Sequence, residues 1–123
     1  MKFADLPALG QPLDAGIFCG VTTTQAGRHA AIVLLANRPN KRLTWKKAMA
    51  WAEEAHGVLP SRPVSATLFM HAKAAIEPDW YWTCDESDGS YAWFQDFYGG
   101  SQFSFRKSYE GRAVAVRLIQ LEA

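Results

Sequence analysis

Charge of one sign, long apolar runs and cysteine are all scarce in this sequence. The 123 residues carry 13 basic and 12 acidic side chains, which gives a net charge of +1. Such a balance creates no global field that would attract nucleic acid or an anionic membrane. No apolar run approaches the ~20 residues that are needed to span a bilayer. We therefore expect no membrane partner, and a nucleic-acid partner is disfavoured.

The N-terminal segment lacks the apolar stretch of a secretory signal. It runs MKFADLPALGQP, in which one lysine is followed by an aspartate and two prolines. We therefore expect synthesis in the cytoplasm. The two cysteines, Cys19 and Cys84, form no CxxC pair and no other metal-binding spacing. Thiols in a cytosolic chain are usually small buried hydrophobes, so we expect no disulfide.

Apolar periodicity in the first part of the chain predicts two strands followed by two helices. Residues 16–21 and 29–36 are apolar runs of strand length, and the second run has no polar interruption, as in a strand buried on both faces. Residues 44–56 show helical spacing between Thr44, which suits an N-cap, and Gly57, which suits a final residue with positive φ. Residues 64–75 predict a second, shorter helix, and Pro63 is tolerated at its start because a first-turn N–H has no helical partner to lose.

Aromatic residues are concentrated in the last third of the chain. Residues 80–118 hold three of the five tryptophans and all four tyrosines. Turn chemistry divides this segment into short predicted strands at residues 80–84, 91–98, 103–107 and 113–118. Two strands, two helices and several further strands predict an α+β fold, with the helices packed on short, mostly antiparallel strands.

Several short stretches together resemble a known family. They occur in the same order: Leu9-Gly10-Gln11-Pro12 with Gly16; Leu43-Thr44-Trp45 with Ala48 and Ala52; Leu59-Pro60-Ser61-Arg62; Tyr81-Trp82-Thr83; Ala92-Trp93-Phe94-Gln95-Asp96-Phe97 with Gly99-Gly100; and Arg112-Ala113-Val114-Ala115-Val116-Arg117. The ordered set, over residues 8–119, resembles the Lcl C-terminal-like domain of unknown function of phages, prophages and some bacterial adhesins. The resemblance implies a C-type-lectin-like fold in a single domain, residues 1–123, with residues 1–8 as a flexible lead-in.

The chain departs from the family pattern at three places. Many members have cysteines in the first helix and last strand, where this chain has Ala52 and Val114 or Val116, so that disulfide is absent. Many follow the Leu-Pro-Ser-Arg stretch with two acidic residues, where this chain has Pro63 and Val64, which removes a negative charge from a helix N-terminus. The segment before Trp80 is also short, so a long recognition loop is missing.

Metal-dependent and catalytic functions have little support in the residues. Glu77-Pro78-Asp79 resembles the sugar-binding loop of calcium lectins, but the Trp-Asn-Asp partner of that loop is missing, and calcium needs several converging oxygens. The fold that the resemblance implies also serves the formylglycine-generating enzymes. These enzymes need a reactive cysteine pair, whereas Cys19 and Cys84 are far apart in sequence and nothing else suggests their pairing. No nucleophile elbow, phosphate loop or His-Glu-Xaa-Xaa-His occurs. We therefore expect no enzyme, no metal and no cofactor.

A binding face is predicted between residues 85 and 106. Alternation places odd- and even-numbered residues of 91–98 on opposite strand faces, and both sets contain aromatic rings. Only one face can be the main core, so aromatic rings remain on the other face. Trp93 and Phe97 fit a core position and a binding position equally well. Tyrosine and tryptophan beside glutamine and arginine are typical of protein-recognition surfaces. The predicted binding residues are Asp85, Tyr91, Trp93, Gln95, Tyr98, Gln102, Phe103 and Arg106.

The resemblance and this face together predict a non-enzymatic recognition module of phage or prophage type that binds a host or phage protein. We expect it in the cytoplasm of the host cell, and association with the virion stays open. Two alternatives also stay open: a small intracellular phage inhibitor of a host defence protein, of the anti-CRISPR kind, and calcium-independent carbohydrate binding. An exposed aromatic patch fits a homodimer contact as well.

Overall fold

Two α-helices and two antiparallel sheets make up the computed structural model, which describes residues 1–122. The helices are α1, Trp45–Glu54, and α2, Arg62–Ala72, which is extended by a short 3-10 turn, Lys73–Ala75. The seven strands are β1 Pro12–Leu13, β2 Gly16–Thr23, β3 His29–Leu35, β4 Trp80–Glu86, β5 Tyr91–Asp96, β6 Gln102–Arg106 and β7 Val116–Gln120. The α+β class expected from the sequence is confirmed.

The strands form a four-stranded sheet in the order β1-β2-β3-β7 and a three-stranded sheet in the order β4-β5-β6. The final strand therefore leaves its neighbours in sequence and pairs with β3. Before it does so, Gly111 pairs with Leu43, in the segment before α1, and Arg112 pairs with Tyr81 of the other sheet. The predicted strand at 113–118 is displaced, because the regular pairing begins only at Val116.

β3 is the centre of the hydrophobic core, and its residues are buried on both faces as the uninterrupted apolar run predicts. Ile32 and Leu34 point into a cluster that includes residues of α2. Val33 and Leu35 point into a second cluster that includes residues of α1. The two helices therefore cover opposite faces of this strand.

The aromatic strands contribute to both clusters. Trp82 of β4 and Phe94 of β5 are fully buried on the α1 side, where their rings stack with centroids 3.8 Å apart. Tyr81 and Phe97 lie in the α2 cluster, with ring centroids 5.1 Å apart in an edge-to-face arrangement. The sequence left open whether Phe97 is a core or a binding residue, and the structure places it in the core.

The ends of α1 differ in detail from the sequence prediction. Thr44 is the N-cap residue, but its side chain makes no capping hydrogen bond. The positive φ after the helix belongs to His56, at 63°, rather than to Gly57. Gly57 is required by close packing, since an added Cβ would lie 2.7 Å from the Val116 carbonyl oxygen and 2.9 Å from Leu35 Cδ1.

The first residues pack against the end of β7. Phe3–Asp5 form a short 3-10 turn, and Lys2 pairs with Glu122. Cys19 and Cys84 are both free thiols, in different core clusters. Neither α1 nor α2, nor any other helix within residues 1–122, has the length and apolar character to cross a membrane.

Candidate functional site

A bulge in β4 connects the aromatic sheet to the start of α2. The pairing of β4 with β5 is regular as far as Trp82 and resumes only at Glu86. Within the bulge, the Cys84 N–H donates to the Pro60 carbonyl oxygen at 2.9 Å. The bulge also turns the Asp85 carboxylate to the helix terminus, where Oδ2 accepts from the Arg62 N–H at 2.7 Å.

The first turn of α2 thus has two acceptors for its unpaired N–H groups. Ser61 Oγ accepts from the Val64 N–H at 3.3 Å, and Asp85 accepts from Arg62. The Asp85 carboxylate of β4 therefore places a negative charge at the start of this helix. A carboxylate at this position also interacts favourably with the helix dipole.

The Arg62 side chain crosses from the helix to the sheet. Its Nε donates to Gln102 Oε1 at 2.9 Å, and its guanidinium carbon lies 3.7 Å from the centroid of the Trp93 ring. Gln102 in turn donates from Nε2 to the Arg62 carbonyl oxygen at 2.8 Å and to Gln95 Oε1 at 2.8 Å. These bonds hold the Arg62 guanidinium over the indole, at the distance of a cation–π contact.

These residues form one wall of an open groove of about 660 Å³. The groove lies between the start of α2 and the face of β5 and β6, with Gln25 from the β2–β3 hairpin as a further contributor. Its lining offers a cation at Arg62, carboxylates at Asp85 and Glu86, and the apolar surface of Trp93. This mixture suits a partner with both polar and aromatic groups better than a purely apolar one.

Five of the eight predicted residues share this face of the sheet, namely Tyr91, Trp93, Gln95, Gln102 and Arg106. In the β5–β6 register, Tyr91 is opposite Arg106, and Trp93 and Gln102 occupy positions of the same parity. Tyr91 is 42% exposed, and Trp93 is half-buried beneath Arg62. Asp85 joins the face from β4, where its carboxylate is occupied by the start of α2.

Of the eight predicted residues, Asp85, Trp93 and Gln102 line the groove. Tyr91 and Arg106 lie on the same strand face but beyond the groove lining. The remaining three take other positions. Gln95 lies on the same strand face but is 0% exposed, and its amide nitrogen donates to the carbonyl oxygens of Asp96 and Ser101. Its place is beneath Gln102, which it orients. Phe103 lies on the opposite face, where it packs against Trp80 and Phe94 with ring centroids 5.1 and 5.5 Å away.

Tyr98 is in the turn after β5 and is 69% exposed. The turn is organised by Asp96, whose two carboxylate oxygens accept from the Tyr98 and Gly99 N–H groups at 2.7 and 3.1 Å. Tyr98 does not line the groove that Trp93 and Gln102 form. It is therefore an exposed aromatic residue at a separate position.

Arg62 and Gln25 were not among the predicted site residues. The sequence could have pointed to Arg62, because this residue ends the Leu-Pro-Ser-Arg stretch just before the predicted second helix. Gln25 had no signal, since it is one polar residue in a polar hairpin loop, and only the folded chain brings it near α2.

The Glu77-Pro78-Asp79 stretch follows the 3-10 turn after α2 and leads into β4. The Asp79 carboxylate accepts from Arg42 Nη2 at 2.6 Å and from Arg112 Nε at 3.0 Å. Desolvation raises the pKa of Asp79, but hydrogen bonds from Arg42, the Trp80 N–H and Arg112 outweigh it and hold the pKa below its usual value of 3.8. Among residues 1–122, no three His, Cys, Asp or Glu side chains are grouped so that they could hold a metal ion.

A scan of protein-family models finds none that matches this chain, and a search of curated proteins finds no similar sequence.

Proposed function

We propose that this chain is a non-enzymatic recognition module that binds a protein partner through the groove face, defined by Arg62, Tyr91, Trp93, Gln102 and Arg106. The observation that carries the proposal is the arrangement of Trp93, which lies half-buried under the Arg62 guanidinium instead of being enclosed in either core cluster. Aromatic and arginine side chains held in fixed positions are the residues that most often dominate protein–protein binding energy.

The fixed positions of the Arg62 and Gln102 side chains support the same function. Arg62 is fixed at its backbone by Asp85 and at its side chain by Gln102, and Gln102 is fixed by the buried Gln95. A surface that is ordered before binding loses less conformational entropy when a partner docks. Tyr91 and Arg106 flank this ordered centre as exposed neighbours across β5 and β6. β6 is also an edge strand, which leaves its outer side open to a partner.

The finer fold assignment, a C-type-lectin-like domain of phage or prophage type, belongs to the same proposal. It is supported by the ordered set of short stretches that resembles the Lcl C-terminal-like domain and by the order of strands and helices. On this proposal, the chain acts inside the host cell or on the virion, and its partner is a host or phage protein. The groove face would replace the long recognition loop that this chain lacks.

Site-specific photo-crosslinking tests the proposal. A benzoylphenylalanine replaces Tyr91 of the groove face in one variant. In the matched control it replaces Met70, an exposed apolar residue of α2 outside the groove face. After irradiation in a bacterial lysate, we expect one discrete protein adduct from position 91 that is absent from position 70. Unlabelled wild-type chain should suppress the adduct, and the Tyr91→Ala/Arg106→Ala double variant should not.

Two results would contradict the proposal. Equal adducts from positions 91 and 70 would show that the groove face has no privileged partner. A glycan array that binds the wild-type chain but not the double variant, without any protein adduct, would assign the face to carbohydrate instead.

A further inference from the structure

A second cavity lies on another part of the molecule, and most of its charged lining residues are cations. It has a volume of about 390 Å³ and lies where the turn after β3 meets the end of the 3-10 turn that follows α2. Arg38, Lys41 and Arg112 line it, against one carboxylate, Glu77. Small side chains such as Ala36 and Ala75 form its walls and leave room for a ligand. Cavities of this size accept small organic molecules.

Arg38 is held in place by neutral partners. Its Nη1 donates to the carbonyl oxygens of Leu35 and Asn37 at 2.6 and 2.9 Å, and its Nη2 donates to that of Ala75 at 3.4 Å. No ion pair of Arg38 is found among residues 1–122. Desolvation lowers the pKa of Arg38, as expected for a cation that lacks a compensating anion, and arginine stays charged at neutral pH.

Arg112 presents a second oriented guanidinium. Its Nε is engaged by Asp79 Oδ2 at 3.0 Å, and no hydrogen bond of its two terminal nitrogens is found within residues 1–122. Asp79 thus fixes the direction of the side chain while the terminal donors stay available for an acceptor. A planar fork of this kind matches the oxygens of carboxylate and phosphate groups. Lys41 adds an exposed cation at the same cavity.

We propose that this cavity binds a small oxyanion, a carboxylate or phosphate group on a metabolite-sized molecule, between Arg38, Lys41 and Arg112. The ligand's negative charge offsets the excess of cations over the single lining carboxylate, Glu77, and the Arg112 fork provides the direct hydrogen bonds. The site is independent of the groove face, since it shares no lining residue with it. A failure of one proposal would therefore leave the other standing.

An NMR titration of the whole chain tests this site, with inorganic phosphate and succinate as probes and sodium chloride at equal ionic strength as the reference. We expect saturable shifts of the Lys41, Tyr81 and Arg112 amides with at least one probe, at a Kd of about 1 mM or tighter. Saturation by phosphate alone or by succinate alone supports the site and identifies which oxyanion it prefers.

Matched charge reversals locate the binding. Lys41→Glu should weaken it by about tenfold, because it places a negative charge at the cavity. Lys46→Glu, the same change at an exposed lysine that does not line the cavity, should leave it within about twofold. Both positions are exposed, so the fold should survive, as circular dichroism can verify. Shifts that do not saturate, that chloride reproduces, or that both variants weaken equally would overturn the proposal.

Discussion

The Arg62 guanidinium carbon lies 3.7 Å from the centroid of the Trp93 ring, and this contact joins the first residue of α2 to the middle of β5. The two residues are far apart in sequence, and neither is fixed by local structure alone. Asp85 holds the Arg62 backbone and Gln102 holds its side chain. The centre of the proposed binding face is therefore a product of tertiary packing.

Replacing Arg62 with alanine should lower the free energy of unfolding by about 1–2 kcal/mol, through the lost cation–π contact and the lost hydrogen bond to Gln102. Urea denaturation measures the loss, and a change in tryptophan emission should accompany it because Trp93 becomes more exposed. Arg28→Ala is the control, since Arg28 is exposed and has only a 3.4 Å side-chain bond to Gln120. Equal losses in the two variants would contradict the role of the stack.

Asp79→Asn should remove a stabilisation that depends on pH. The pKa of Asp79 is below its usual value in the folded chain, so the unfolded state takes up the proton first as the pH falls. The stabilisation is therefore present above pH 3.8, the usual pKa, and is lost as the pH falls through the folded pKa. At pH 7 we expect the variant to be about 1–2 kcal/mol less stable, a modest figure because Arg42 and Arg112 are partly exposed.

Denaturation curves at pH 7, 5 and 3 check this expectation. The difference between wild type and Asp79→Asn should stay constant between the first two values and shrink at the third. Glu110→Gln serves as the control, because Glu110 is exposed and has no ion pair among residues 1–122. A difference that grows towards acid pH would have the wrong sign for a carboxylate with a lowered pKa.

Gly57→Ala should destabilise the chain by about 1–3 kcal/mol, because the new methyl group would lie 2.7 Å from the Val116 carbonyl oxygen and force β7 away from residue 57. Gly89→Ala is a well-matched control, since its added Cβ has no atom within 4 Å and its backbone is not in the left-handed region. Thermal or urea denaturation of both variants measures the difference. If the Gly57→Ala variant were as stable as the wild type, β7 could move away from residue 57 at little cost in free energy, and the predicted constraint would be wrong.

Gly57 also illustrates how far the sequence could predict this fold. The apolar periodicity was sufficient for the order of β2, β3, α1 and α2 and for a central β3, but it did not predict β1. The sequence correctly indicated that α1 ends near residue 57, but it explained Gly57 wrongly by a positive φ. The residue with positive φ is His56, and Gly57 is constrained by its close contact with β7. Such a constraint depends on a partner strand nearly sixty residues away, which no local pattern encodes.

The candidate site, too, could be predicted from the sequence only in part. Alternation correctly grouped Tyr91 and Trp93 on one face of β5, but aromatic rings on both faces left the core side undecided. The structure shows which face is the core. Trp82 stacks on Phe94 in the cluster on the α1 side, whereas Trp93 is on the opposite face of β5 and packs under Arg62. Gln95 has the right parity for the groove face, yet the contacts of Gln102 and the turn after β5 bury it.

Asp85→Ala should weaken the start of α2 although residue 85 lies outside that helix. The Arg62 N–H would lose a charged acceptor at 2.7 Å, and the helix N-terminus would lose a favourable negative charge. We expect a loss of about 2 kcal/mol in urea denaturation and faster amide hydrogen exchange in the first turn of α2. Asp85→Asn should recover part of the loss, because an amide oxygen can still accept the bond but carries no charge.

The same variant connects stability to the proposed binding face. If Asp85 positions Arg62, then Asp85→Ala should also change the Trp93 emission, as Arg62→Ala does, and a double variant should show a smaller combined effect than the sum of the two. Strictly additive effects would mean that Asp85 caps the helix without orienting Arg62. In that case the rigidity of the groove face would depend on Gln95 and Gln102 alone, and Gln102→Ala would be the variant that releases the arginine from the indole.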